Sequence, residues 1–223
     1  MRPAAAISSG PAASVPRWIE EIRLHYPAVA AAFERVPRTA FLPARARLEA
    51  EEDTPVPLGV GGATISAPTM VATMLVEADL RPGQRCVEVG SGSGYLLALV
   101  AELLQGTGTI HGVEIEPRLA GASRRTLRNL GYGPPRVVVH CADGVDPDRR
   151  HGPFDRLIAS CAIDAIPPAW VTTLAPDGLG VVPLGPPYDA RLAVYTRRSG
   201  GAVVRWGPAC SFVPFRRPPR PDI

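Results

Sequence analysis

The sequence predicts an α/β fold in which a mostly parallel central sheet has helices on both faces and ends in an antiparallel hairpin. Three observations support this fold. Strand and helix patterns alternate from about residue 79 to residue 184, as they do in proteins with parallel sheets. A glycine-rich turn at 90–94 follows the first of these strands. Two further apolar segments, 191–196 and 203–215, have the pattern of a closing hairpin.

The region before the sheet is predicted to be helical at first and then irregular. Residues 1–15 are rich in Ala, Ser and Pro and are expected to be disordered. Residues 16–36 are predicted to form two short helices interrupted by Pro27, and their buried stripe would consist of Trp18, Ile19, Ile22 and Leu24. Residues 38–66 show no clear periodicity, and a helix is expected over about 68–77.

Inside the sheet region, the elements follow in a regular order. The first strand leads into the glycine turn, and a helical run at 96–104 comes next. A turn is predicted at Pro176, Asp177 and Gly178, before the last strand of the region. The later strands are predicted at 109–113, 136–140, 154–160 and 179–184.

Composition narrows the class of protein. The chain has 223 residues, 46% of them hydrophobic and 20% charged, which is normal for one globular domain. A net charge of +3 gives no reason to expect binding to nucleic acid or to a membrane surface. The cysteines are widely spaced and contain no C-x-x-C pair, which indicates reduced thiols in a cytoplasmic protein: Cys86, Cys141, Cys161 and Cys210.

The glycine turn is the most informative feature. Gly90, Gly92 and Gly94 stand at every second position after an apolar strand, so the backbone can turn sharply and approach a ligand closely. This G-x-G-x-G spacing differs from the G-x-G-x-x-G of dinucleotide binders, in which a helix N-terminus meets a pyrophosphate. Glu88, two residues before the first glycine, suits a cationic ligand, and S-adenosylmethionine has an amino group and a sulfonium. The alternative is a tight strand-to-helix turn without a ligand.

Acidic residues also follow the next two strands. Glu114 lies twenty residues beyond Gly94, about where a carboxylate usually binds ribose hydroxyls. Asp143 follows the third strand and could accept a hydrogen bond from an adenine amino group. Ligands of open α/β sheets bind at the carboxyl ends of the strands, so these acids are predicted to meet at one site. The alternative for each of them is a helix N-cap or a solvated carboxylate.

The histidines do not indicate a metal site or a catalytic triad. Their spacing matches neither, and they are expected to be surface residues or satisfied side chains: His25, His111, His140 and His151.

Several motifs together resemble the protein-L-isoaspartate O-methyltransferase family over residues 18–215. The segment Thr64-Ile65-Ser66-Ala67-Pro68-Thr69-Met70-Val71-Ala72 is similar to that family's T-I-S-x-P-x-M-V-A run. The glycine turn is similar to its E-[IV]-G-[TS]-G-S-G-Y. Similar segments also lie around Val36-Pro37-Arg38, Asp53-Thr54-Pro55, Val182-Pro183-Leu184-Gly185 and Phe212-Val213-Pro214-Phe215.

The resemblance implies a Rossmann-like class I methyltransferase. Such an enzyme transfers a methyl group from S-adenosylmethionine to a carboxylate of an L-isoaspartyl residue in a protein or peptide, and the ester then collapses to a succinimide. It implies that Thr64, Ile65 and Ser66 form the catalytic acceptor loop, with Ser66 hydrogen-bonded to the carboxylate. The alternative for Thr64 and Ser66 is a helix N-cap before Pro68, a role that fits Ser66 well. The implied cofactor-binding residues are Glu88, Gly90, Ser91, Gly92, Gly94, Glu114, Ile115, Asp143 and Gly144.

The family pattern also sets the expected organisation. We expect a single methyltransferase domain over 16–215, with N-terminal helices and the acceptor loop in 16–78 and the cofactor-binding sheet in 79–215. An Arg/Pro tail follows at 216–223, and the protein is expected to be a monomer.

The sequence departs from the family before the acceptor loop. Ala63 replaces the usual Gln, and Val60 replaces a Gly. A polar side chain is therefore missing beside the acceptor, which leaves a dedicated peptide methyltransferase of natural-product maturation as an alternative. A non-catalytic protein that binds S-adenosylmethionine or acts as a scaffold is the alternative from another class.

Overall fold

The computed structural model describes residues 17–147 and 151–217. The predicted disorder of 1–15 and the end of the Arg/Pro tail lie outside these residues. Within the described ranges the helices and strands follow one another in this order: α1 (Arg17–His25), α2 (Pro27–Arg35), β1 (Val56–Pro57), β2 (Thr64–Ile65), α3 (Pro68–Ala78), β3 (Arg85–Val89), α4 (Tyr95–Leu103), β4 (Thr109–Glu114), α5 (Pro117–Asn129), β5 (Val137–Cys141), β6 (Phe154–Ala159), α6 (Pro168–Thr173), β7 (Leu174–Leu184), β8 (Ala190–Arg198) and β9 (Gly201–Cys210).

Seven strands form the central sheet in the order β5-β4-β3-β6-β7-β8-β9. The first five run parallel, whereas β7–β8 and β8–β9 are antiparallel pairs. The chain moves from β3 to one side through β4 and β5, and then returns to the other side with β6. This reversal leaves a crevice at the carboxyl ends of the strands, which is where open α/β sheets bind ligands. The predicted mixed sheet and its C-terminal hairpin are confirmed.

Alternate residues along β3 face two separate hydrophobic clusters. On β3, Cys86 belongs to a cluster that also includes side chains of α1 to α5, whereas Val87 and Val89 belong to the other. The second cluster includes Trp170 of α6, which is fully buried. Helices thus pack on both faces, with the larger set on one of them.

The two predicted N-terminal helices are present, but one member of their buried stripe was wrong. Ile19 and Ile22 are buried, whereas Leu24 is 78% exposed. Leu24 follows Ile22 by two positions, which is about 200° around a helix, so the two side chains point to opposite sides.

The region 38–66 contains more structure than its lack of periodicity predicted. Two 3₁₀ segments, Arg38–Phe41 and Ala44–Glu51, are followed by a small antiparallel sheet of β1 and β2. Val56 pairs with Ile65 and Pro57 with Thr64 in that sheet. Two-residue strands are too short for a hydrophobic period to appear in the sequence.

Two element boundaries also differ from the prediction. The expected turn at 176–178 lies within β7, as an irregularity between the pairs Phe154–Leu174 and Arg156–Leu179. Asp177 there has a φ of 61°, so the chain bulges without ending the strand. The last strand, β9, ends at Cys210, and the following segment crosses the carboxyl edge of the sheet, where Phe215 N donates to Ala162 O at 2.8 Å.

None of the helices in the described chain has the length and apolar character needed to cross a bilayer.

Candidate active site

The glycine turn between β3 and α4 has the predicted geometry. Gly90, Gly92 and Gly94 have φ angles of 77°, 50° and 87°, which L side chains rarely adopt. The amide of Gly90 donates to Val113 O at 2.8 Å, and this bond ties the turn to β4. The turn therefore lies against the end of the neighbouring strand, at the crevice of the sheet.

A cleft with an interior volume of about 170 Å³ lies at this crevice. Its wall combines the glycine turn, the ends of β3 and β4, the loop before β2 and the C-terminal segment. The lining residues are Gly61, Gly62, Ala63, Thr64, Val89, Gly90, Gly92, Val113, Glu114, Ile115, Leu119, Gly144, Ser160, Cys161, Tyr188, Val213, Pro214, Phe215 and Arg216.

Glu114 lines the cleft and is held by backbone amides. Its Oε2 accepts a hydrogen bond from Gly92 N at 2.7 Å, and its Oε1 accepts one from Glu116 N at 2.9 Å. Each carboxylate oxygen has two lone pairs, so both can accept a further bond from ligand hydroxyls. The predicted ribose acceptor thus lies in the cleft with its orientation fixed.

Glu88 lies in a narrower adjoining cleft and is 1% exposed. Burial raises the pKa of Glu88 to about 8, and the nearby charge of Glu114 raises it further. The Ser160 hydroxyl donates to Glu88 Oε1 at 2.7 Å and acts in the opposite direction by lowering the pKa. Its Oε2 is buried and has no partner among the described residues. An unpartnered carboxylate oxygen is costly to bury, and a cationic ligand group would satisfy it.

The predicted acceptor loop lines the same narrow cleft. Thr64, Ile65 and Ser66 lie there beside Glu88 and Ser160, and Thr64 also lines the larger cleft. The pairing of β1 with β2 positions Thr64 and Ile65, whose side chains alternate between half-buried and buried.

The N-cap role considered for Ser66 was wrong. The N-cap position of α3 is Ala67, which has no side-chain cap. Asp53 caps this helix instead, because its Oδ1 accepts from Thr69 N at 2.9 Å and its Oδ2 from the Thr69 hydroxyl at 2.7 Å. The cap comes from a residue sixteen positions upstream, so the Ser66 side chain is not needed at the helix terminus.

Arg38 supports the acceptor loop through hydrogen bonds to backbone carbonyl groups, a role that the sequence did not suggest. This buried guanidinium donates to Thr54 O at 2.8 Å and to Ser66 O at 3.2 Å. It donates also to the carbonyl oxygens of Glu49, Ala50 and Glu52.

Of the two predicted cofactor residues after β5, one lines the cleft and the other lies next to it. Gly144 lines the cleft, and a Cβ there would lie 2.4 Å from Val89 Cγ1, so no larger residue fits. Its carbonyl accepts from the Trp170 indole at 2.7 Å. Asp143 is half-buried beside it but does not line the cleft, and its Oδ1 accepts from Val145 N at 2.9 Å.

Besides Asp143, three predicted cofactor residues do not line the larger cleft: Glu88, Ser91 and Gly94. Ser91 is buried and lines the narrow cleft. A Cβ at Gly94 would lie 2.8 Å from Ser123 Oγ of α5, so this glycine permits the packing of α4 on α5. Gly94 was predicted from its spacing, but the third glycine faces the neighbouring helix.

The sequence also missed part of the cleft wall. Tyr188 and Ser160 had no assigned role, and Arg216 was placed in a solvated tail. Arg216 Nη1 donates to Gly61 O at 2.6 Å, which joins the two sides of the cleft roof. The family-like segment 212–215 was the one signal that could have drawn attention to this region.

Three of the histidines lie together in the structure, although their spacing in the sequence did not indicate a shared site. His111, His140 and His151 each place a ring nitrogen within 4.8 Å of the others. They lie on β4, on β5 and just before β6, and the parallel sheet brings these distant positions together.

The sheet order, the glycine turn and the acidic residues at the ends of β3 and β4 define an S-adenosylmethionine-dependent class I methyltransferase. The family model described as "Protein-L-isoaspartate(D-aspartate) O-methyltransferase" matches residues 17–217. The chain belongs to this family and is therefore an S-adenosylmethionine-dependent protein carboxyl O-methyltransferase that acts on isoaspartyl residues.

Individual relatives agree with the family model. The chain is 39% identical over 209 residues to the protein-L-isoaspartate O-methyltransferase of Hyperthermus butylicus, covering 90% of this chain and 86% of that one. It is 39% identical over 191 residues to the enzyme of that name from Gloeobacter violaceus, covering 85% and 90%. The dedicated peptide enzyme and the non-catalytic scaffold are not favoured by these matches.

A solved structure agrees with the fold. It is described as a putative protein-L-isoaspartate O-methyltransferase from Plasmodium falciparum in complex with S-adenosyl-L-homocysteine. It superposes with a TM-score of 0.77 at 23% identity, covering 91% of this chain and 98% of that one.

Proposed function

We propose that the two adjoining clefts divide the reaction between them, so that the larger one binds S-adenosylmethionine and the narrow one binds the carboxylate of an L-isoaspartyl residue in a damaged protein. The observation that supports this division is the shared wall. Thr64, Gly90, Gly92 and Ser160 line both clefts, so ligands in the two sites would meet there.

The larger cleft fits the cofactor by the chemistry of its donors and acceptors. Glu114 would accept from the ribose hydroxyls, and the close backbone of Gly90 and Gly92 leaves room for the ligand. Ile115 and Leu119 offer apolar surface to a purine ring. Glu88 lines the narrow cleft, next to Ser160 of the shared wall, and its unpartnered Oε2 marks the place for a cationic group of the cofactor where the two clefts meet. When bound, S-adenosylmethionine supplies a methyl group activated by its sulfonium.

The chain needs no general base for this transfer. An isoaspartyl carboxylate is ionised at neutral pH, because the reference pKa of such a group is about 4. The role left for the protein is to orient the attacking oxygen and to exclude water. We assign the orientation to the Ser66 hydroxyl, with Thr64 and Ile65 fixing the loop, since fixing two reactants in place can contribute on the order of 7–11 kcal/mol.

Water exclusion is assigned to the roof of the larger cleft. The bond from Arg216 to Gly61 O closes the roof at one point, and Phe215 packs edge-on against Trp170 with ring centroids 5.8 Å apart. Removing water strengthens every electrostatic contact in the site.

We also propose that 16–215 works as one domain, as a monomer, in the cytoplasm, without a nucleic acid or membrane partner. All four cysteines are free thiols, as is usual in a reducing compartment. A net charge of +3 gives no electrostatic reason to expect binding to nucleic acid or anionic lipid.

The test is mass spectrometry of a matched peptide pair, one isoaspartyl and one aspartyl, incubated with the protein and S-adenosylmethionine. A gain of one CH₂ on the isoaspartyl member alone is expected. Ser66→Ala should lower kcat/KM about 10- to 100-fold, because a hydrogen bond to a charged group contributes roughly 1.5–3 kcal/mol. Cofactor affinity should change much less.

Ser199→Ala is the matched control, since Ser199 is exposed beyond β8. It should leave both quantities unchanged. Methylation of the aspartyl peptide alone would contradict the proposed substrate. An equal loss of turnover and cofactor affinity in Ser66→Ala would contradict the role of Ser66 as an acceptor contact.

A further inference from the structure

Three histidine side chains outside the two clefts converge on one point. His111 is buried on β4, and His140 on β5 and His151 before β6 are half-buried. One ring nitrogen from each lies within 4.8 Å of the other two. Neither the cofactor nor the carboxylate chemistry uses them.

We propose that His111, His140 and His151 form a binding site for a borderline divalent transition-metal ion, with Zn²⁺ as the best fit. Imidazole nitrogen is a ligand that Zn²⁺, Ni²⁺ and Cu²⁺ favour. Three imidazoles leave the fourth position of a tetrahedral ion for water or another ligand.

The separations of the ring nitrogens support this assignment. His111 Nδ1 and His140 Nε2 are 3.1 Å apart. Two nitrogens bound tetrahedrally to Zn²⁺ at 2.0–2.1 Å lie about 3.3 Å from each other, so the pair is already near the required separation. The rings of this pair are nearly parallel, at 7°, with centroids 5.4 Å apart, so their nitrogens face each other and each ring would have to turn to direct its lone pair at a shared ion. The centroid of the His151 ring lies 4.6 Å and 4.9 Å from those of His111 and His140.

The alternative is a hydrogen-bonded imidazole pair without a metal. One neutral ring can donate its N–H to the lone pair of the other, and that bond would explain the 3.1 Å contact. It does not require a third ring at the same point. A single cation, in contrast, accepts a lone pair from all three at once.

The surroundings suit a bound ion. Phe154, which is 1% exposed, packs against the His111 ring at 5.8 Å and forms an apolar wall. The partial exposure of His140 and His151 provides a path for the ion.

The position of the site connects it with the cofactor cleft. His140 lies opposite Val113 in the β4–β5 register, and Val113 lines the cleft. His111 precedes Val113 by two residues, or about 7 Å along the strand. An ion here would link β4, β5 and the residues just before β6. Because Gly144 lies between β5 and β6, the ion would fix the chain on both sides of this cleft residue.

The test uses the full chain without a histidine tag, freed of metal by a chelator and titrated with ZnCl₂ in a calorimeter. One equivalent of Zn²⁺ per chain is expected. His140→Gln and His151→Gln should weaken Zn²⁺ binding by at least about 100-fold. This is the upper end of the loss in metal affinity when a residue that only hydrogen-bonds to a metal ligand is replaced. Zn²⁺ should also raise the thermal unfolding midpoint of the wild type and not of these variants.

His25→Gln is the matched control, because His25 ends α1 and lies outside the cluster. Cys141→Ser is a second control, because this exposed thiol next to His140 could bind Zn²⁺ by itself. Both should bind like the wild type. Circular dichroism and S-adenosylhomocysteine binding will show that each variant is folded.

The site is refuted if the wild type takes up no Zn²⁺. It is refuted also if folded His140→Gln and His151→Gln bind as tightly as the wild type, or if Cys141→Ser alone removes binding.

Discussion

The carboxyl group of Glu88 lies in a buried environment that disfavours its charged form. It is 1% exposed, and one of its oxygens has no partner among the described residues. Burial is the largest cause of the rise of its pKa to about 8. A group of this kind keeps its proton at neutral pH until a cation arrives, so protonation and cofactor binding should be coupled.

The stability of the ligand-free protein should therefore depend on pH through Glu88. The unfolded state loses this proton near the ordinary value of 4.5, whereas the folded state keeps it to about pH 8. Between these values the unfolded state binds fewer protons, so the free energy of unfolding should fall as pH rises, by up to about 1.4 kcal/mol per pH unit. Urea unfolding at several pH values measures this slope.

Glu88→Gln is the control for that slope, because it keeps the shape and removes the titration. Its free energy of unfolding should be less dependent on pH over the same window than that of the wild type. Equal slopes in the two proteins would show that Glu88 titrates normally in the folded state.

Individual site residues were predictable to different degrees. Glu114 could be placed in the cleft from its distance to the glycine turn, because a strand, a turn and a helix have nearly fixed lengths. The cap of α3 could not be assigned, because Asp53 reaches Thr69 through a loop whose path has no periodic signal. Local spacing favoured Ser66 for that cap, and tertiary structure supplied a different residue.

At the scale of elements, Arg38 organises a segment that has little regular structure. Its guanidinium donates to five carbonyl oxygens between Glu49 and Ser66, and these include the acceptor loop. Carbonyl groups outside helices and long strands need such donors when they are buried. A planar fork with five N–H groups meets this need, and an ammonium group does not.

Arg38→Lys should consequently be damaging although the charge is kept. We expect the free energy of unfolding to fall by about 2–4 kcal/mol, the equivalent of one or two lost charge-assisted hydrogen bonds. The KM for an isoaspartyl peptide should rise because Ser66 loses its support. Urea unfolding and steady-state kinetics measure the two effects.

Arg47→Lys is the matched change at an exposed arginine of the same region. It should stay within about 0.5 kcal/mol of the wild type. If Arg38→Lys behaved the same way, the five contacts would have no energetic importance.

The helices and strands show where sequence patterns are sufficient to predict element boundaries. Strands β4 to β6 and helices α3 and α4 follow clear hydrophobic periods, and their ends lie within two residues of the predictions. The bulge at Asp177 was predicted as a turn, because Pro, Asp and Gly favour both outcomes and only pairing with β6 decides between them.

For the whole molecule, the cleft is built from segments far apart in the sequence. The roof contains 61–64 and 213–216, whereas the floor comes from the ends of β3 and β4. A ligand in the cleft should therefore stabilise the two roof segments together.

Hydrogen exchange with and without S-adenosylhomocysteine checks this coupling. Amides of 61–64 and of 213–216 should both gain protection when the ligand is bound. Peptides of the exposed edge strand β9 serve as the internal control and should not change. Protection of only one roof segment would show that the ligand does not span the cleft.

The bond between Arg216 and Gly61 joins residues 155 positions apart. During synthesis on the ribosome, the glycine turn and Glu114 are made well before 213–216. The growing chain can form most of its sheet while one wall of the cleft is still missing. Full cofactor affinity should then arise only after translation of the last segment, so the cofactor should stabilise the complete chain more than it stabilises the earlier folding intermediates.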